Sequence, residues 1–120
     1  MIFMDNTLST EDRNFLLNMA RKAIESAVHG EKPPEIKYES LSETLKKPGA
    51  TFVTITKSGK LRGCIGTLEA KIPLVEDTIN HAIAAAMHDF RFPPLNKNEL
   101  DEIKIEISRL TIPQIVNYSD

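Results

Sequence analysis

Two runs of strand-forming residues flank a two-residue turn: TFVTITK at 51–57, Ser58-Gly59, then KLRGCIG at 60–66. β-Branched residues crowd the first run, and a short glycine-containing turn between two such runs is the signal of a β-hairpin. This predicts a hairpin over about 51–68 and commits the middle of the chain to antiparallel sheet. The segment IKIEI, 103–107, alternates isoleucine with Lys104 and Glu106, the pattern of a strand with one wet face. It predicts a third strand over about 102–110. Arg109, Leu110 and Ile112 shift its parity, which predicts a bulge near Ser108.

Two long helices complete the pattern. Ser9, with Asp12 three residues later, opens a stripe of Leu16, Leu17, Ala20, Ala23, Ile24, Ala27 and Val28 at helical period, and Gly30 is placed to end it. That predicts a helix over about 10–29. Pro73 starts another over about 73–89, with Val75, Ile79, Ile83, Ala86 and Phe90 as its core stripe; Phe92 is also expected in the core. Leu41 and Leu45 fit a short helical turn before Pro48-Gly49, and 96–100 fits another. A hairpin, a further strand and two long helices give an α+β fold on an antiparallel sheet, within one domain over 1–120.

The formal net charge of −2 and scattered basic residues argue against nucleic-acid binding. No apolar run is long enough to span a membrane. The start of the chain, MIFMDNTLSTED, lacks the pattern of a secretory signal, so the Asn117-Tyr118-Ser119 sequon carries no weight and the expected location is the cytoplasm. The single cysteine, Cys64, fits a reducing interior.

Cys64 is also the chemical focus. In a regular strand Arg62, Cys64 and Gly66 share one face, with Arg62 and Cys64 about 6.6 Å apart along the chain. A guanidinium at that reach favours a thiolate, and Gly66 leaves an open floor for a ligand. The competing expectation is a small buried hydrophobe: a two-residue loop sets Cys64 opposite Val53 and Arg62 opposite Ile55, and a thiol in apolar surroundings is inert.

On the second helix Asp77, His81 and His88 form one stripe. It is either a solvated face or a place where Asp77 orients His81 as an i,i+4 partner. His81 and His88 are too widely spaced for a shared metal, and no metal or cofactor is expected. Cys64 with His81 or His88, and Asp77 behind, would follow the Cys–His pattern of thiol nucleophiles. Asp89 and Arg91 either cap the loop as a pair or leave Arg91 to hold a carboxylate or phosphate. The candidate catalytic residues are therefore Cys64, His81 and His88. The candidate substrate-binding residues are Arg62, Gly63, Gly66 and Arg91.

FVTITKSGKLRGCIGTLEA, 52–70, resembles the signature of the AMMECR-one domain family, also called AmmeMemoRadiSam system protein A. HDFRFPPLNKNEL, 88–100, running into IKIEISRLT, 103–111, is a second match in the same order. Asp89, Arg91, Phe92, Pro94, Glu99 and Leu100 fall on its D-x-R-F-x-P and acidic-leucine positions. The resemblance implies an α+β fold, a biochemical function that is not settled, and radical-SAM and dioxygenase-like companion proteins. Family domains run well past the point matching Asp120, so the chain is expected either to lack the family's second half or to be a short variant. Strand edges left exposed would then invite a partner or a second copy. Two functions follow as expectations: a cytosolic thiol-dependent enzyme acting on a small anionic substrate, or a non-catalytic adaptor using the glycine-rich strand and an exposed sheet edge.

Overall fold

The computed structural model describes residues 3–5 and 8–111, with 3–5 and Thr111 described by backbone alone. The sequon and Ile112 lie outside the described residues. The elements run β1 (Phe3–Asp5), α1 (Thr10–Val28), α2 (Glu43–Lys46), β2 (Ala50–Lys57), β3 (Lys60–Gly66), α3 (Leu74–Met87) and β4 (Ile103–Thr111). Single 3₁₀ turns occur at Tyr38–Ser40 and Lys97–Glu99. The four strands form one sheet in the order β1-β4-β2-β3, and every pairing is antiparallel. The fold is α+β, as the pattern predicts.

Local chemistry explains the element ends. Ser9 accepts a hydrogen bond from the Asp12 amide at 3.0 Å and so satisfies an orphan donor at the start of α1. Gly30, at φ 71°, lies just past the helix in a conformation glycine adopts freely. Ser58 and Gly59 both have positive φ, the backbone of a tight hairpin turn.

α1 and α3 pack on one face of the sheet. Val53 and Ile55 of β2 are fully buried there with Ala20, Ile24, Ala82 and Ala85. A second cluster, including Leu16, Leu41, Leu45 and Val75, fills the space between the helices and the connector. The opposite face carries Thr54, Thr56, Lys104 and Glu106 and has no helix among the described residues.

Three expectations need correcting. Phe90 is 95% exposed, because α3 ends at Met87 and its period stops before reaching that ring. Phe92 is half-buried, with the Arg91 guanidinium 5.4 Å from its ring centre. β4 pairs with β2 without a register shift from Ile103 to Leu110, so no bulge lies at Ser108. The parity changes because Leu110 is buried on the face opposite Arg109's.

The bulge is in the hairpin instead. Thr56 pairs with Leu61 but Ile55 pairs with Gly63, which leaves Arg62 as the extra residue. Gly63 then faces α3 so closely that an added Cβ would lie 2.2 Å from the Ala85 carbonyl oxygen. At Gly66 the nearest atoms belong to the Phe52 ring, at 2.3 Å, and a side chain can rotate where helix backbone cannot. Gly63→Ala should therefore destabilise by about 1–3 kcal/mol. Gly66→Ala should cost clearly less. Denaturant midpoints of the two variants check the order.

Candidate functional site: an edge-strand thiol and its clamp

The bulge decides what surrounds the sulfur. Cys64 pairs with Thr54, not Val53, and lies on the helix-free face. It is half-buried, and its Sγ is 3.2 Å from the Thr54 hydroxyl. Arg62 does not stand over it. The extra residue turns Arg62 to the side of Gly63, where its guanidinium grips Glu99 with two bonds of 2.9 Å, Nε to Oε2 and Nη2 to Oε1. Nor is Gly66 a bare floor, since the Phe52 ring covers it.

Glu99 sits in the 3₁₀ turn with its side chain 9% exposed. It also accepts from Lys57 Nζ at 3.0 Å and from the Asn96 amide at 3.1 Å. The Arg62 hydrogen bond, against the opposing effect of burial, brings its pKa down to about 2, with Lys57 helping. Arg62 is thus a structural tie between the hairpin and the turn before β4.

The guanidinium near Cys64 is Arg91. Among the described residues β3 is an edge strand, so one side of its backbone has no strand partner there. At Cys64 two side chains supply the missing bonds. The Cys64 amide donates to Asp89 Oδ2 at 3.0 Å, and the Cys64 carbonyl accepts from Arg91 Nη2 at 3.3 Å. Acceptor and donor together imitate a neighbouring strand and blunt the edge. Asp89 is 3% exposed and also accepts from the Arg91 amide, Nε and Nη2 at 3.1, 3.0 and 2.7 Å. These bonds, led by the Arg91 side chain and opposed by burial, hold its carboxyl well below the usual range. The Arg91 pKa is raised, first by the bond to Asp89, against the opposing effect of burial. Asp89 and Arg91 do form the pair that the spacing suggests, with the Cys64 backbone as its third member. Arg91's side chain stays 47% exposed, and its Nη1 has no hydrogen-bond partner among the described residues.

The histidines lie elsewhere. His81 Nδ1 is 3.1 Å from Asp77 Oδ2, the i,i+4 pair expected, and this part of the stripe is not a solvated face. Asp77 is 4% exposed, and its Oδ2 accepts from both the amide and the hydroxyl of Thr51, each at 2.7 Å. This Thr51–Asp77–His81 group is on the helix side of the sheet, while the sulfur faces away, so the structure does not bring Cys64, His81 and Asp77 together. His88 caps the C-terminus of α3, is exposed and directly precedes Asp89. No set of three or more His, Cys, Asp or Glu side chains among the described residues is placed to hold a metal. A cleft of about 660 Å³ between the end of α1 and the Lys97–Glu99 turn touches none of these residues.

Sequence reasoning missed Thr54, the neighbour of the sulfur, and the role of Glu99. An acidic residue on a turn, with Arg62 and Lys57 lacking assigned anions, was the available signal for the second. For Thr54 there was none without the register.

Residues 17–120 match the AMMECR1 family. A protein of Methanothermobacter thermautotrophicus is 41% identical over 107 residues, covering 89% of this chain and 55% of its own length. A protein of Methanopyrus kandleri is 42% identical over 114 residues, covering 92% and 54%. The crystal structure of an uncharacterized protein from Pyrococcus horikoshii superposes with a TM-score of 0.80 at 37% identity, covering 87% of this chain and 53% of that one. The chain therefore spans about half the length of these relatives. No described helix is long and apolar enough to cross a membrane. The family match, the sequence identity and the shared fold converge: the chain belongs to the AMMECR1 family.

Proposed function

We propose that Cys64 and Arg91 form the thiol and the cation of a thiol-dependent enzyme site for a small anionic substrate. The observation that carries this reading is the anchoring of Arg91. Asp89 holds the guanidinium with two side-chain bonds beside Cys64 while about half of the arginine side chain stays exposed. A planar cation fixed in this way is suited to a carboxylate or phosphate. The Thr54 hydroxyl, 3.2 Å from the sulfur, is placed to exchange a hydrogen bond with it. His88, next to Asp89 and exposed, is the histidine we assign as proton carrier; His81 has the sheet between it and the thiol. The site would work in the cytoplasm alongside the radical-SAM and dioxygenase-like companions that the resemblance implies.

The test is alkylation of the folded protein. Cys64 should react without denaturant, and millimolar phosphate or a dicarboxylate should slow the reaction in the wild type but not in Arg91→Gln. A thiol that reacts only after unfolding contradicts the proposal.

A second reading rests on Phe90. This ring is 95% exposed in the segment that clamps Cys64, and Leu68, two residues past β3, is 58% exposed. Bare apolar side chains beside a sheet edge suit an adaptor that docks a companion protein. Under that reading Phe90→Ala abolishes co-purification with the companions and leaves Cys64 alkylation unchanged.

A further inference from the structure

Among the described residues, β4 has strand partners on both sides only near its end. β2 pairs with it from Ile103 to Leu110, whereas β1 pairs with it only at Arg109–Thr111. Among the described residues, the outer side of 103–108 has no strand partner. The Ile103 carbonyl accepts from Arg21 Nη2 of α1 at 3.2 Å. Alternation turns the main-chain groups of Ile103, Ile105 and Ile107 to one side of the strand. Beside this edge runs a groove of about 200 Å³, lined in part by Leu17, Ile105, Ile107 and Ser108. Ile105 and Ile107 are only half-buried, while Lys104 and Glu106 are exposed on the helix-free face.

We propose that this edge pairs with the same edge of a second copy, antiparallel about a two-fold axis at Ile105. The segment IKIEI is self-complementary in that register. Lys104 falls opposite Glu106 of the second copy, Glu106 opposite its Lys104, and Ile103 opposite its Ile107. The neighbouring in-phase registers set Lys104 opposite Lys104, or Glu106 opposite Glu106, and like charges directly opposite are destabilising. A slip of one residue exchanges the faces and puts charges against isoleucines. The charges thus select one register, and the half-buried isoleucines of the two copies meet on the helix side. A strand of uniform charge would match only one of the two side chains, which is why a second copy is the favoured occupant. The two four-stranded sheets would join into one.

Sedimentation equilibrium at low salt tests the pairing. The wild type should show a concentration-dependent dimer. Lys104→Glu and Glu106→Lys should each raise the dissociation constant about tenfold. An equimolar mixture of the two variants should regain dimer, because the acidic pair of one then faces the basic pair of the other. A wild type that stays monomeric up to about 1 mM overturns the proposal. So does a single variant that dimerises like the wild type, or a mixture no tighter than its components.

Discussion

Glu99→Ala should lower the unfolding free energy by about 3–5 kcal/mol, the cost of removing one partner from a buried ion pair. The damage falls on Arg62, whose side chain is 12% exposed and would keep its charge without its anion. Lys57 suffers less, being 34% exposed and within 3.6 Å of Glu102. Removing both buried charges in Arg62→Met/Glu99→Leu should therefore be milder than Glu99→Ala alone. The same carboxylate shapes the acid response. Its folded pKa of about 2 lies below the ordinary 4.5, so its stabilisation is fully present above about pH 5. It is lost as the pH falls towards 2. The wild type should lose about 3 kcal/mol from this group across that window, and Glu99→Ala should show a flatter acid limb. Urea titrations at a series of pH values measure both effects.

Asp89→Ala should cost about 2–4 kcal/mol, since a buried carboxylate with charge-assisted bonds is lost and the Cys64 amide loses its acceptor. Arg91 can turn to water, which limits the penalty. Asp89 also has a depressed pKa, so its contribution is likewise present above the ordinary 3.8 and fades as the pH falls below it. A separate readout isolates the clamp: amide exchange at Cys64 should accelerate in Asp89→Ala, while exchange in the centre of β2 should follow the global stability alone.

The elements with strong local signals were readable from the chain. Ser9 and Gly30 bracket α1 by capping chemistry, and Ser58-Gly59 makes the hairpin turn because both residues take positive φ. The Asp89–Arg91 pair was readable as a loop cap because its partners are two residues apart. The site around Cys64 was not. Strict alternation was the only register available, and nothing in KLRGCIG marks Arg62 as the residue that is counted twice against β2. That one extra residue turns Arg62 towards Glu99 and moves Cys64 from Val53 to Thr54. The burial of Asp77 was equally hidden, since its partner Thr51 comes from a strand 26 residues earlier. Phe90 continued a helical period beyond the point where α3 stops.

In the proposed site Arg91, not Arg62, is the anion-binding neighbour of the Cys64 thiol. Alkylating the folded protein in parallel with iodoacetate, which carries a charge, and iodoacetamide, which does not, tests it directly. The wild type should react with both, and the iodoacetate-to-iodoacetamide rate ratio should fall several-fold in Arg91→Gln but not in Arg62→Gln, compared where both variants remain folded. A ratio unchanged by the loss of Arg91, or a sulfur silent until the chain unfolds, would contradict it.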